Sequence, residues 1–315
     1  MKETYLAIDL GRSELHIGEV NAKGEILHSK RYGIGYINQT TTLAVIKRSL
    51  EDYIVTDGWA TESRPIAMGI SLVGNVNNRD GVWLQNDSKG NRPIHLAKAL
   101  HGVYGIPCYI ETNIKSITKA ERLWGNEKHP DNFVYINIGS DIDAVFVVDT
   151  QLTHSSYFGI QDVKHMDVGI DIGIKCNCGR YNCVECIAGE AGFDKSARLL
   201  SNTYSTNLYI PHDEKIKVDI KEIYFLSQQG DSLCTQLVDN AVNGIAGLIM
   251  NLIRISNPDK VIIGGTIMAN NFIYQRIIKI LSKANLRLDP HNIVLSRFTP
   301  QDAGLIGAAA VAINK

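Results

Sequence analysis

The sequence carries almost no net charge: 32 lysines and arginines stand against 33 aspartates and glutamates, a formal charge of −1. Non-specific phosphate binding needs a basic face, and no Lys/Arg run of useful length appears, so the composition argues against nucleic acid as a partner. Long apolar runs are missing too, since nothing approaches the roughly 20 residues that span a bilayer. The start, MKETYLAIDL, has an apolar segment too short for a secretory signal, and Asp9 interrupts it. A cytoplasmic chain with no membrane contact is expected. Thiols stay reduced there, which makes the placement of the six cysteines informative.

Cys176, Cys178 and Cys183 fall within eight residues, with His165 eleven positions upstream and Cys186 just beyond. Three thiolates that close cannot pair as disulfides without strain, whereas sulfurs converge easily on one Zn²⁺ at about 2.3 Å each. A structural zinc site is expected. Cys186 or His165 would supply the fourth ligand.

A length of 315 residues fits two lobes. Residues 5–10, 15–20 and 26–32 read as three antiparallel strands, the last two joined by a Gly24-bearing turn. Residues 41–56 carry a helical apolar stripe at 43, 45, 46, 50 and 54. Strands at 66–72 and 107–111 flank a helix at 94–101, and this βα alternation argues for a mixed sheet covered by helices. Further on, 134–148 reads as strand, loop and returning strand, and 187–200, 220–228 and 233–255 as helices. A buried strand at 260–266 and a closing helix of small residues from Asp302 complete the pattern.

The cysteine segment closely resembles the signature of the ROK family (repressors, open reading frames and sugar kinases), in which a GExGH element precedes CxCGxxGCxE. Here the second half stands as Cys176-Asn-Cys178-Gly179-Arg-Tyr-Asn182-Cys183-Val-Glu185. The resemblance implies zinc on His165, Cys176, Cys178 and Cys183, with His165 and Glu185 also facing a sugar pocket. The first half departs from the pattern: Asp162 stands for the family's Glu, and Lys164 for its Gly.

Other segments resemble the family's catalytic loops with key residues exchanged. Asp9-Leu10-Gly11-Arg12-Ser13 is similar to the DxGxT/S entry of the sugar-kinase, heat-shock-ATPase and actin-like superfamily. That likeness places Asp9 near Mg²⁺, and Gly11 and Ser13 near the terminal phosphates. Gly139 and Ser140 match a second phosphate loop, but Asp141, Asp143 and Val145 stand where three glycines would be. Carboxylates repel a triphosphate by roughly 4 kcal/mol per pair at about 4 Å and an effective dielectric near 20. Gly264 and Gly265 resemble the pair beside the adenosine. Residues 111–121 resemble ENDANAAALAE, whose Asp is the general base; this chain has Asn113 there, with Thr112 and Lys115 for the two asparagines. An amide positions a hydroxyl but does not deprotonate it.

The resemblance implies an α/β fold of two ribonuclease-H-like lobes, 1–112 with the helix 303–315, and 113–302 with the zinc segment 165–186. A homodimer is common in the family. ROK repressors carry an additional N-terminal helix-turn-helix, whereas here the first sheet begins by residue 5, so direct DNA binding is not expected. Asn86, Thr112, Asn113, Asp162, His165 and Glu185 are the expected sugar contacts. The expected function is binding of a hexose or N-acetylhexosamine, with phosphoryl transfer lost and zinc as structural cofactor. The alternative is a Mg-ATP-dependent sugar kinase of the glucokinase or N-acetylmannosamine-kinase type, and a ligand-free scaffold is the third reading.

Overall fold

The computed structural model describes residues 3–35, 39–61, 63–85, 92–125, 130–153 and 162–314. The chain forms two compact units, Met1–His129 with Arg297–Lys315, and Pro130–Ser296. In chain order the first contains β1 (Thr4–Leu10), β2 (Glu14–Asn21), β3 (Ile26–Gly33), α1 (Gln39–Thr56), β4 (Ala67–Leu72), β5 (Asn75–Asn77), β6 (Val82–Gln85), α2 (Leu96–Tyr104), β7 (Cys108–Thr112) and α3 (Asn113–Trp124). The second contains β8 (Phe133–Ile138), β9 (Ile142–Val148), β10 (Gln151–Leu152), α4 (Val184–Ala188), α5 (Glu190–Leu200), α6 (Ile220–Gln228), α7 (Ser232–Ser256), β11 (Lys260–Gly264), α8 (Asn271–Leu281) and β12 (Ile293–Leu295). The closing helix α9 (Ala303–Ile313) belongs to the first unit.

The first sheet runs β3-β2-β1-β4-β7, antiparallel across β3-β2-β1 and parallel across β1-β4-β7. Alternation along β1 sends Leu6, Ile8 and Leu10 to one face, where they meet Ile46, Leu50 and Tyr53 of α1 and Leu96 and Leu100 of α2. Tyr5 and Ala7 face the other way, onto Leu305, Ala308, Ala309 and Ala312 of α9. That contact is very close: a Cβ on Gly69 would sit 1.8 Å from the Ala308 carbonyl oxygen. Small residues on α9 are therefore a packing requirement of this face.

The unit boundary departs from the expected division at 112/113. Helix α3 stays with the first unit because Ala120 packs with Ile306 and Ala310 of α9. A Cβ on Gly307 would meet the Ser116 backbone at 2.8 Å, so the two helices touch backbone to backbone.

The second sheet runs β10-β9-β8-β11-β12, again with an antiparallel half and a parallel half. Helix α7 is buried along its length through residues such as Leu237, Ile245, Ile249 and Leu252. The Asp231 side chain caps its start by accepting from Cys234 N, and Asn257 ends it in a left-handed conformation at φ 43°. The helix expected over 187–200 is broken at Gly189, whose extended φ −77° and ψ 160° separate α4 from α5. The polar excursion after α5 is tied down by Asp194, which accepts from Arg198, Lys217 Nζ and Val218 N. Among the described residues no helix is long and apolar enough to cross a membrane.

Candidate functional site

The cysteine segment folds as a knot of turns. Cys176 N donates to Arg180 O and Gly179 N to Cys176 O, with Gly179 and Asn182 at positive φ of 89° and 64°. Arg180 Nη2 reaches back to His165 O at 2.8 Å, and Val184 N to Met166 O at 3.0 Å. These bonds bring His165 Nδ1 within 3.3 Å of Cys176 Sγ and set Cys178 and Cys183 Sγ 3.5 Å apart. One donor atom from each of His165, Cys176, Cys178 and Cys183 lies within 4.8 Å of the others. Zn–S bonds of about 2.3 Å in a tetrahedron need sulfurs just under ~4 Å apart, so the donor set fits zinc in both chemistry and spacing. The other ring nitrogen of His165 faces Asp162 Oδ2 at 3.6 Å, the kind of carboxylate partner that orients a ligating imidazole. Cys186 lies outside the four-donor set.

Around this cluster the second unit is acidic. Asp143 is pushed up to about 6, by burial first and then by the charge of Asp141, with Lys164 opposing. Burial likewise raises Glu185, again with Lys164 opposing. Burial works to lower Lys164, yet its pKa is raised because Asp162, Asp143, Glu185 and Asp141 all favour its charged form. Lys164 Nζ lies 3.5 Å from Asp162 Oδ1. Sequence marked Lys164 only as a lost glycine. The structure shows it as the counter-charge of the acidic loop. A complementary gain and loss of charge within one segment was the signal available.

The loop after β8 is closed on itself. Gly139 N donates to Asp141 O at 3.2 Å, and Gly139 O accepts from Glu190 N at 3.1 Å. The Glu190 carboxylate takes a short 2.5 Å bond from Thr266 Oγ1, next to Gly265. Glu190 and Thr266 went unnoticed in the sequence, where they sit 76 positions apart. Gly265 itself is held at φ 102°, with Ile138 O 2.2 Å from where a Cβ would be. Gly264 abuts the Tyr135 hydroxyl in the same way, at 2.3 Å. Ser140 is exposed at the loop tip.

In the first unit Asp9, Ser71 and Asn113 close a three-membered network. Asn113 Nδ2 donates to Asp9 Oδ1 and to Ser71 Oγ, both at 2.8 Å. Ser71 in turn bonds Asp9. An ionised carboxylate only accepts, so the amide must face it with nitrogen, and both Asn113 hydrogens are then used. Its Oδ1 remains as an acceptor. The second Asp9 oxygen lies against α9, 2.0 Å from where a Gly304 Cβ would be. Burial pushes Asp9 up to about 6, opposed by the bonds from Ser71 and Asn113 and by the charge of Arg31.

The other expected residues of this unit lie on its loops and helix starts. Gly11 N donates to Glu14 O at 2.9 Å, closing the turn that Ser13 caps by accepting from Ile34 N through its backbone. Thr112 is the first residue before α3. Asn86 lies outside the described residues.

Comparison with known proteins fits the fold. The Thermotoga maritima glucokinase is 24% identical over 322 residues, covering 98% of this chain and 97% of that protein. The structure of a ROK family transcriptional regulator, a homolog of the E. coli MLC protein, matches at 25% identity with TM-score 0.82, covering 99% of this chain and 78% of the other. A ROK hexokinase structure from Thermus thermophilus matches with TM-score 0.76 at 19% identity, covering 99% and 98%. The ROK family pattern itself runs through residues 5–315, and the chain therefore belongs to the ROK family.

Proposed function

We propose that this protein binds a hexose or N-acetylhexosamine as a sugar-responsive regulatory protein and has lost phosphoryl transfer. The observation that carries this reading is the Asn113 amide, with both hydrogens donated to Asp9 and Ser71. At the position where the family resemblance puts the general base, the remaining atom is a neutral carbonyl oxygen. It can accept a hydrogen bond from a sugar hydroxyl without removing the proton. Asp9, engaged by two internal donors and packed on Gly304, is poorly disposed to hold Mg²⁺. The turn amides of Gly11 and Gly139 are engaged by carbonyls, and Asp141 and Asp143 oppose a nucleotide's charge.

His165, Cys176, Cys178 and Cys183 would hold a structural zinc ion, with all four positions filled by protein and no chemistry asked of the metal beyond bracing the loop. The family resemblance assigns Asp162, Glu185, the His165 ring, Thr112 and Asn113 to sugar hydroxyls. The family resemblance also supports a homodimer, which sedimentation velocity reads directly.

The second reading is a Mg-ATP-dependent sugar kinase, favoured by a match that extends over 97% of a glucokinase. A coupled ADP-release assay on zinc-replete protein, run across hexoses and N-acetylhexosamines, separates the two. The regulatory reading predicts no sugar-dependent ADP release. Turnover with any one sugar would establish the kinase.

A further inference from the structure

Cys186 is an additional sulfur beside a centre that already has four donors. It is buried. It packs in one small cluster with Cys176 and Cys183, backed by Ile174, and its backbone N donates to Cys183 O at 2.9 Å. An alanine would fill such a position without placing a reactive sulfur against metal-binding thiols. With Cys186 the local sulfurs become four: Cys176 adjoins Cys178 and Cys183 as well as Cys186, so pairing Cys176 with Cys186 leaves Cys178 and Cys183 for each other. Cys178 and Cys183 are 3.5 Å apart, and Cys186 packs beside Cys176. Without it they would be three, and oxidation would always leave one sulfur unmatched.

Resting on the zinc reading above, we propose that this cluster is a reversible thiol switch. Oxidation by a peroxide joins Cys178 to Cys183 and Cys176 to Cys186, expels the zinc ion and frees His165. Cys178 is the exposed member of the cluster and meets the oxidant first. Its sulfur attacks one peroxide oxygen, the O–O bond breaks, and the departing oxygen leaves as water after taking a proton from solvent. The Cys183 sulfur then displaces hydroxide from the sulfenic acid, forming the first S–S bond and, with a further proton, a second water. Cys176, with its partner thiolates withdrawn from the metal, reacts with a second peroxide in the same way. Cys186 resolves that sulfenic acid, and its thiol proton goes to the departing hydroxide. Three thiolates, one thiol, two peroxides and three protons give two disulfides, four waters and free Zn²⁺.

Both bonds close short loops, 178–183 and 176–186, and strained disulfides of this kind are readily reduced by thiols. The switch therefore resets when reductant and zinc return. Because His165 and Glu185 sit on the same segment, sugar affinity falls while the zinc is out.

The test treats zinc-replete full-length protein with graded hydrogen peroxide, follows zinc with a chromogenic chelator and maps thiols by mass spectrometry. Free thiols are expected to fall from six to two, Cys108 and Cys234, as the zinc leaves. The linked pairs are expected to be Cys178–Cys183 and Cys176–Cys186, and a thiol reductant with zinc restores the starting state. Cys186→Ala should bind zinc as the parent does and lose it to peroxide. Its Cys176 then over-oxidises or cross-links chains, so zinc recovery after reduction drops at least about fivefold. Cys186→Ser provides the same comparison if the alanine variant folds poorly.

Three results would overturn the proposal: Cys186 still a free thiol in the oxidised parent, variants that recover zinc as fully as the parent, or variants purified without zinc, which would make Cys186 a ligand. A parent protein that carries no zinc before peroxide is added overturns this proposal and the zinc reading together.

Discussion

The two units build the same sheet with different polar pairs at the same place. In each, the first two strands form a hairpin, and one step in from its last pair a polar residue faces another across the ladder: Asp9 opposite His16 in the first unit, Asn137 opposite Asp143 in the second. In each, the turn glycine, Gly11 or Gly139, donates its N–H back into the turn. The surroundings differ. Asp9 is locked by Ser71 and Asn113 against α9, whereas Asp143 lies among carboxylates balanced by Lys164. A hairpin of this kind does not depend on the polar pair it carries, because backbone bonds and apolar packing sustain it.

The comparison breaks most severely at the glycines that pack the sheets. Gly69→Ala forces a methyl onto the Ala308 backbone, which cannot yield, and is expected to cost about 3 kcal/mol or more. Gly264→Ala in the second unit meets only the end of the Tyr135 side chain, which can shift, and should cost roughly 1–2 kcal/mol. Chemical denaturation of both variants checks the order. Equal losses would mean that the two sheets pack alike.

Next is Asn113→Asp, which replaces an amide donor with a second carboxylate against Asp9. The pair repels, and destabilisation of about 2 kcal/mol is expected at pH 8. Both carboxyls then have folded pKa values above their unfolded ones, so the native state holds extra protons and the cost shrinks as pH falls towards 5. Melting curves at the two pH values read this. A stable variant at pH 8 that also gains turnover would identify the network as a dormant kinase site.

Smaller, and opposite in sign between the units, are the pH effects of the hairpin pairs. Burial and then Arg31 depress His16 to about 4, and both its ring nitrogens lack partners among the described residues. Its neutral form is native, so its contribution is intact above the unfolded value near 6.5 and is lost as pH falls towards 4. His16→Leu should therefore gain about 1–2 kcal/mol on the parent over that window. Asp143, raised to about 6, costs stability above that pH and is relieved below it. Asp143→Asn should gain about 1 kcal/mol at pH 7.5, an advantage that fades below pH 4. Parallel pH slopes in the two variants would erase the distinction between the hairpins.

How much of this was legible in sequence depended on distance along the chain. Cys176, Cys178 and Cys183 fall within eight positions, so spacing alone pointed to a metal cluster, while the choice of His165 over Cys186 as its fourth donor came from the family resemblance. The three-stranded start of the first sheet was equally local, with alternation and a glycine turn to mark it. The Asp9, Ser71 and Asn113 network was not readable, since its members are 104 and 42 positions apart and only a parallel sheet aligns them. Helix α8 and strand β12 went unassigned, because their short apolar runs gain meaning only against the core around Ile263 and Ile249. The boundary after residue 112 was misplaced for the same reason: α3 belongs with α9, nearly two hundred residues later.

The measurement that bears most directly on the central claim is a calorimetric titration of zinc-replete protein with hexoses and N-acetylhexosamines, each with and without a Mg²⁺-bound, non-hydrolysable ATP analogue. A saturable heat for one sugar, unchanged by nucleotide, with no heat for nucleotide alone, is the predicted result. Saturable nucleotide binding that strengthens with that sugar would contradict it, and would return the protein to the kinases.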